Sequence, residues 1–517
     1  VGSAHVVTAA DELAPYAANL TGWKRSFPAV LRPATTAEVQ EVVKLANQFR
    51  LTLYPFSRGR NWGLGSRLPA RDGSLLVDLS RLDRIREVNV AGGYAVVEPG
   101  VTQRQLYTYL RERELPLCLN VIGSSADSSL LGNALERGIG YFATRAGSLS
   151  GMEVVLGNGT LVKTGFAHYD QAQTAHIYKH GLGPGLDGLF YQSNFGIVCA
   201  AGIELMRRHG PHQSAIVRIE EEARLPALVE AVADLRRREV IRMVVHIGNR
   251  ARTFCTLAPL VYEQMGEGRT RAAAERCLEQ AGFGPWSAVM GWSGTPHEAR
   301  AVAREIARVM KGTASVMFLN DDKLARGERL LQRLSFLPGA RRQAMILRAM
   351  KPVYALSHGI PTDAALKSVY WAAGDLPPDG QEVLDPDQGT AGQLYFLPML
   401  PLSGAAAAEA VQIIHEEIRA HRLFAPMTLN VLDDRCLEIV LSLAFRRDRA
   451  EETERTHTCL TRLEDRFLQR GWPPYRVGLG SMDRMVSAGD TFWQTARAIK
   501  QALDPNGVIA PGRYSLD

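Results

Sequence analysis

Apolar residues recur at helical spacing over Val39, Val42, Val43 and Ala46, and Thr35-Thr36-Ala37-Glu38 stands before them with a capping hydroxyl and an acidic first turn. A helix is predicted to start there and to end near Gln48-Phe49-Arg50. Short apolar runs at Leu51–Pro55, Leu75–Leu79 and Tyr94–Gly100 read as strands closed by turn residues. Thr102 to Arg113 reads as an amphipathic helix. Met152–Leu156 and Leu161–Thr164 flank Gly157-Asn158-Gly159, and Asn-Gly between apolar runs signals a hairpin.

The texture changes after about residue 212. Long helical patterns cover Leu225–Arg237, Glu298–Met310 and Ala405–Ala420, with strand-like runs at Val240–Ile247, Gln393–Leu397 and Cys436–Phe445. Such helix-plus-strand groups imply α+β layers. The Pro/Gly/Asp-rich stretch Gly374 to Gly392 is expected to be a surface excursion. The tail holds a helix at Thr453–Arg470, a turn-rich segment and a last helix ending at Asp504-Pro505-Asn506-Gly507.

Length and composition narrow the class. A chain of 517 residues, 46% hydrophobic and 22% charged, is globular and suggests two to four domains. The net charge of +6 is not gathered into a basic face, which argues against a nucleic-acid partner. Cys118, Cys199, Cys255, Cys277, Cys436 and Cys459 form no CxxC and no zinc spacing, so separate reduced thiols and a cytoplasmic setting are expected. No metal site is expected, because the histidines show neither HxxxH nor HExxH. No apolar run is long enough for a membrane span, and Val1–His5 shows no basic or apolar leader.

Four segments could carry chemistry. Pro55-Phe56-Ser57-Arg58-Gly59-Arg60-Asn61-Trp62-Gly63-Leu64-Gly65-Ser66 follows a strand and has the composition of a backbone-amide cradle for a pyrophosphate. It is neither GxGxxG nor a Walker loop, so an ordinary surface loop is the alternative. Leu131 to Tyr141, with Asn133, Gly138, Gly140 and Tyr141, allows close approach to a flat ligand or is a Gly-capped helix end. Phe190 to Val198 sets polar side chains ahead of an apolar strand, as a nucleotide pocket or a turn before a strand would. In Trp472-Pro473-Pro474-Tyr475-Arg476, the adjacent phenol and guanidinium can stabilise an oxyanion, or simply follow a helix on the surface.

Taken in order, these segments resemble the vanillyl-alcohol oxidase / para-cresol methylhydroxylase flavoprotein family. The resemblance covers residues 24–210 and 425–512. It includes Val96-Val97-Glu98-Pro99-Gly100, Ser150-Gly151-Met152-Glu153, Gly185-Leu186-Asp187-Gly188, Gln192-Ser193-Asn194, Tyr475-Arg476 and Asp504 to Gly512. It implies a two-subdomain FAD-binding domain of the PCMH type, with an N-terminal part over 1–215 and a completing segment over 471–517. A cap domain over 216–470 would shape the substrate cavity. FAD would lie along Pro55, Ser57–Gly63, Asn133, Gly138, Gly140, Tyr141 and Gly196–Val198, and Tyr475 and Arg476 would bind a phenolate whose benzylic carbon gives up hydride. The partners implied are an aromatic small molecule, O2 or an electron-transfer protein as acceptor, and a second copy in a homodimer.

This chain departs from that pattern in four places. Relatives tether FAD through a cap-domain His or Tyr, in a strand matched here to Arg435–Phe445, which has neither. There is also no His in the 55–66 loop and no Cys between Arg137 and Gly151, so FAD is expected to be non-covalent. Leu64 and Thr144 stand where phenol-oxidising relatives have tyrosines. Gly123 or Ser124 takes the place of the family's catalytic Asp. The segment after Tyr141 is two residues shorter. The resulting expectation is an FAD-dependent oxidoreductase acting on a 4-alkylphenol or benzylic alcohol. The alternatives are a tailoring flavoenzyme for a non-phenolic alcohol, amine or cyclisation precursor, and a non-catalytic flavin-binding protein.

Overall fold

The computed structural model describes residues 1–207, 210–378, 380 and 383–516. Two small sheets and one large sheet organise the chain, with a two-stranded pair of Leu117–Cys118 and Met206–Arg207 beside them among the described residues. In the first, strands Val30–Leu31, Leu75–Asp78 and Leu53–Phe56 run parallel, with Val6–Val7 antiparallel at the edge. Helix Thr36–Phe49 covers it. Thr35 Oγ1 accepts from the Glu38 amide at 3.1 Å, and Arg50 closes the helix in the left-handed region at φ 54°. The apolar stripe Val39, Val42, Val43 and Ala46 is buried against Leu53, Val77 and Ile509.

The second sheet is antiparallel, ordered Ile85–Asn89, Tyr94–Val97, Gly196–Glu204, Leu149–Leu156, Leu161–Lys163. The last two strands form the hairpin expected around Asn158, with Gly159 at φ 84°. Its core joins Leu106 and Leu110 of helix Gln103–Glu112 to Leu131, Met152 and Val198.

The third sheet has eight strands. Its main path is Ser315–Leu319, His212–Ile219, Trp286–Ser293, Val245–Asn249, Met427–Val431, Cys436–Arg446, Ala391–Phe396, and Met399–Pro401 also pairs with Cys436–Arg446. Helices Leu225–Arg237, Gly404–Ala420 and Ala450–Gln469 cover one face, where Trp286, Phe396 and Phe467 are fully buried. The Phe396 and Phe467 rings meet edge to face at 4.8 Å. The expected strand over Val240–Ile247 is shorter, covering Val245–Asn249, because Arg236 ties the carbonyls of Ile241 and Met243 into a turn. Asp379, Gln381 and Glu382, within the expected surface excursion, lie outside the described residues. The rest of that excursion is partly inside: Pro386 and Asp387 are buried.

The C-terminal segment returns to the first lobe. Leu53 N–H donates to Val508 O at 2.8 Å, and Ala510 N–H donates to Leu53 O at 2.7 Å. Buried Lys500, in helix Thr491–Leu503, holds this return by donating to Asp504 at 2.5 Å, Asn194 O at 2.6 Å and Ile509 O at 2.8 Å. Removing the cation leaves the buried Asp504 carboxylate without its charge partner. Lys500→Met is expected to cost about 3–5 kcal/mol, read as a lowered midpoint in denaturant unfolding.

Candidate active site

The lobes and the cap enclose two connected spaces. A narrow groove of about 170 Å³ runs between the lobes, and a cavity of about 430 Å³ lies under the cap sheet. Arg60, Asn61, Ile122, Ser124, Asn133 and Arg476 line both. Ligand-sized volume at a domain seam is where small-molecule sites concentrate.

Of the residues expected to hold cofactor, Pro55, Ser57, Arg58, Gly59, Arg60, Asn61, Asn133, Gly196, Ile197 and Val198 line the groove. The peptide N–H groups of Arg58, Gly59, Arg60 and Asn61 donate to no other group among the described residues. Four free amides in a Gly-containing turn fit a pyrophosphate. Arg513 extends the positive wall and pairs with Glu136. The Asn133 amide oxygen accepts from the buried Arg145 Nη1 at 3.1 Å, which orients its side chain.

Trp62, Gly138, Tyr141, Tyr475 and Arg476 line the cavity. Gly63 and Gly140 line neither space themselves, although both chain neighbours of each line the cavity. Gly63 sits at φ 73°, and a Cβ there would lie 2.7 Å from the Tyr395 ring, so the glycine lets the loop pack against the cap. A Cβ on Gly140 would collide with the Asn120 side chain, so that glycine shapes the segment from within. Leu64, Gly123 and Ser124 face the cavity, whereas Thr144 does not line it. Asp127 is turned away into an ion pair with Arg104 at 3.0 Å.

The cap sheet supplies the opposite wall by strict alternation. Ser214 and Ile216, His246 and Gly248, Ser287 and Val289, Thr428 and Asn430, and Glu438 and Val440 face the cavity. The residues between them, such as Ala215, Ile247, Ala288, Leu429 and Ile439, enter the core. Across three neighbouring strands the polar members connect. His246 Nδ1 is 2.7 Å from Asn430 Oδ1, and Asn430 Nδ2 donates to Glu438 Oε2 at 3.0 Å. Because the Asn430 amide is spent on Glu438, its oxygen must accept, which places the His246 proton on Nδ1.

Tyr475 stands close enough to Glu438 and Arg476 for both to act on its hydroxyl. Burial pushes the Glu438 carboxyl up to about 7 against the pull of Asn430, Tyr475 and Arg476. Burial, followed by the Glu438 charge, holds the Tyr475 phenol well above its usual range. Tyr475 therefore stays a proton donor at neutral pH. Arg476 Nη2 donates to Asn61 Oδ1 at 2.5 Å, and its Nε lies 3.5 Å from Glu136, fixing it where groove meets cavity. Burial holds His246 down at about 4, hence neutral, and lifts Tyr141 to about 12. Glu438, Asn430 and His246 were not singled out from the sequence. The available signal was one acid in an otherwise apolar strand, Cys-Leu-Glu-Ile-Val-Leu.

A two-lobed domain with an amide-lined groove, opening into a cavity under an inserted sheet, is the architecture of an FAD-linked oxidoreductase. Residues 27–165 match the FAD binding domain family. The whole chain is 34% identical to 1'-carboxy-chondrochloren decarboxylase from Chondromyces crocatus, covering 100% of this chain and 95% of that relative. It is 29% identical to the flavoprotein subunit of 4-cresol dehydrogenase (hydroxylating) from Pseudomonas putida, over 100% and 94%. The substrate-bound structure of p-cresol methylhydroxylase superposes with a TM-score of 0.85 at 27% identity, covering 100% of this chain and 95% of that one. The chain belongs to the p-cresol methylhydroxylase-type FAD oxidase family and is an FAD-dependent oxidoreductase. No helix among the described residues is long and apolar enough to cross a membrane.

Gly63→Val adds a branched side chain at positive φ against Tyr395 and should displace the free amides of the neighbouring turn. The expected result is at least a tenfold rise in the dissociation constant for FAD, measured by flavin fluorescence titration of the apoprotein.

Proposed function

We propose that the substrate is a para-substituted phenol, such as a 4-alkylphenol or a 4-hydroxybenzylic alcohol, which loses hydride from its benzylic carbon. The observation that carries this reading is the convergence of Tyr475, Arg476 and Glu438 at one end of a cavity continuous with the groove. Bound FAD, held by the 55–61 turn, Asn133 and Gly196–Val198, supplies the acceptor for the hydride. Tyr475 and Arg476 hold the phenol oxygen and favour its anionic form. Glu438 takes the phenol proton by way of the Tyr475 hydroxyl. The phenolate then pushes hydride from the benzylic carbon, leaving a quinone methide to which water adds. O2 or an electron-transfer protein would be the final electron acceptor.

A second reading is favoured by the full-length similarity to a decarboxylase. Where the substrate carries a carboxylate on the carbon next to the benzylic one, the quinone methide needs no water. The bond to the carboxylate breaks, its electron pair forms a carbon–carbon double bond and restores the phenolate, and CO2 departs. With 3-(4-hydroxyphenyl)propanoate the products are 4-vinylphenol and one CO2 per two electrons. A side-chain alcohol as the sole product would refute this reading.

Anaerobic mixing with 4-alkylphenols should bleach the flavin, and Tyr475→Phe should slow bleaching by at least a hundredfold. Glu438 accepts a proton only when ionised, so the rate should rise with pH through about 7 and level off above it. Glu438→Gln should lose that limb. Failure of every phenol tried to bleach the flavin would overturn the proposal.

FAD is held here without a covalent bond. The strand matched to the tether presents Glu438 and Val440 to the cavity, and Cys436 is not in its wall. Acid precipitation should release all the flavin into the supernatant. Yellow colour in the pellet would refute this and point to Tyr395 or His246, which do line the cavity.

A further inference from the structure

Arg252 stands in the first turn of helix Arg250–Gln264, its amide donating to the Asn249 cap at 2.8 Å. Its side chain lies over Gly248 into the cavity wall. Both of its side-chain hydrogen bonds come from one nitrogen and go to neutral oxygens: Nη2 donates to Ser442 Oγ at 2.7 Å and to Pro426 O at 3.3 Å. Nε is buried with no hydrogen-bond partner, and no carboxylate among the described residues lies within ion-pair distance. The position is costly twice over. A buried guanidinium without a counter-charge is destabilising, and a cation in the first helical turn opposes the helix dipole. An anion entering the cavity relieves both.

The register of one strand sets the geometry. Glu438, at the Tyr475–Arg476 end, and Ser442, which holds Arg252, are four residues apart on strand Cys436–Arg446 and so share a face. At about 3.3 Å per residue they are separated by roughly 13 Å. Val440 stands between them, with Leu397 and Val289 nearby in the wall. The cavity thus offers an oxygen site, an apolar middle and a cation.

We propose that Arg252 is a specificity-determining anchor for a substrate carboxylate, and that the substrate is a 4-hydroxyphenyl compound whose side chain ends in that carboxylate. This rests on the phenol reading for the identity of the other end. The argument for the anion stands on Arg252 itself.

The test uses FAD-loaded protein and 4-hydroxyphenyl alkanoates with three to five chain carbons, each beside its methyl ester, and the non-phenolic 5-phenylpentanoate. Anaerobic rapid mixing separates the dissociation constant from the rate of flavin reduction. Wild-type protein should bind at least one acid ten times more tightly than its ester. Arg252→Gln should abolish that preference while changing ester binding less than threefold, and Arg252→Lys should restore part of it. Equal binding of acids and esters by the wild type would overturn the proposal. So would Arg252→Gln weakening both equally, or shifting only the flavin reduction potential, which would assign Arg252 to the cofactor. Acids that bind through Arg252 but never bleach the flavin would overturn the phenol reading and leave the anchor standing, and 5-phenylpentanoate binding that depends on Arg252 would show the anchor without the phenol.

Discussion

The site depends on a clamp between the pyrophosphate-type loop and the cap. Asp385 accepts from Trp62 Nε1 at 3.2 Å and from Arg67 at 2.9 Å. Asp387 accepts from Ser66 Oγ and from the Leu20 amide, each at 2.9 Å. Arg447 gathers the carbonyls of Asn19, Asp387, Gly389 and Ala391 behind them. Burial alone raises the Asp385 carboxyl, but Arg67, Trp62 and Arg60 outweigh it and hold it low. Asp387, more deeply buried and facing the Asp385 charge, is pushed up to about 7. Asp385 thus holds its charge more readily than its neighbour, and Arg67 reaches both carboxyls. Through them the groove and the cavity keep a common wall, and Arg60, Asn61 and Trp62 keep the positions from which they line it.

Much of the architecture was legible as periodicity. The capped helix after Thr35, the Asn158 hairpin and the long cap helices are local patterns whose apolar faces have only one way to be buried. The loop over 55–63 was legible for a different reason, since glycine, serine and asparagine together after a strand suit free backbone amides. The clamp was not legible. Its residues lie in a Pro/Gly/Asp-rich stretch that reads as exposed, and Trp62, Ser66, Arg67 and Leu20, more than 300 residues away, give the two aspartates their partners. The side chains packed on Gly63 and Gly140 were not legible, because a glycine beside a ligand and a glycine beside a side chain carry the same letter. Glu438, Asn430 and His246 were missed because their relation is lateral, across three strands, and a strand's own pattern does not say which residues stand beside it.

The resemblance places an acid in the segment Asn120–Ser125, where this chain has Gly123 and Ser124 and no carboxylate at all. The carboxyl that does line the cavity, Glu438, stands beside Tyr475 and Arg476, which under the phenol reading is the oxygen end. That changes what the site can do. A proton acceptor beside the phenol oxygen assists formation of the phenolate, and hence hydride loss, but it is not placed to activate water at the carbon. Under the phenol reading, the oxidised intermediate is then consumed most readily by a step that needs no base there. Loss of a carboxylate as CO2 is such a step, because the breaking bond itself supplies the electrons that restore the aromatic ring. A guanidinium at the far end would hold that carboxylate in place until hydride has left, and would give up its charge partner once CO2 forms. On that proposal, the absence of a carboxylate over Asn120–Ser125 and the presence of Arg252 without a carboxylate partner among the described residues have one cause, a reaction that finishes by loss of CO2.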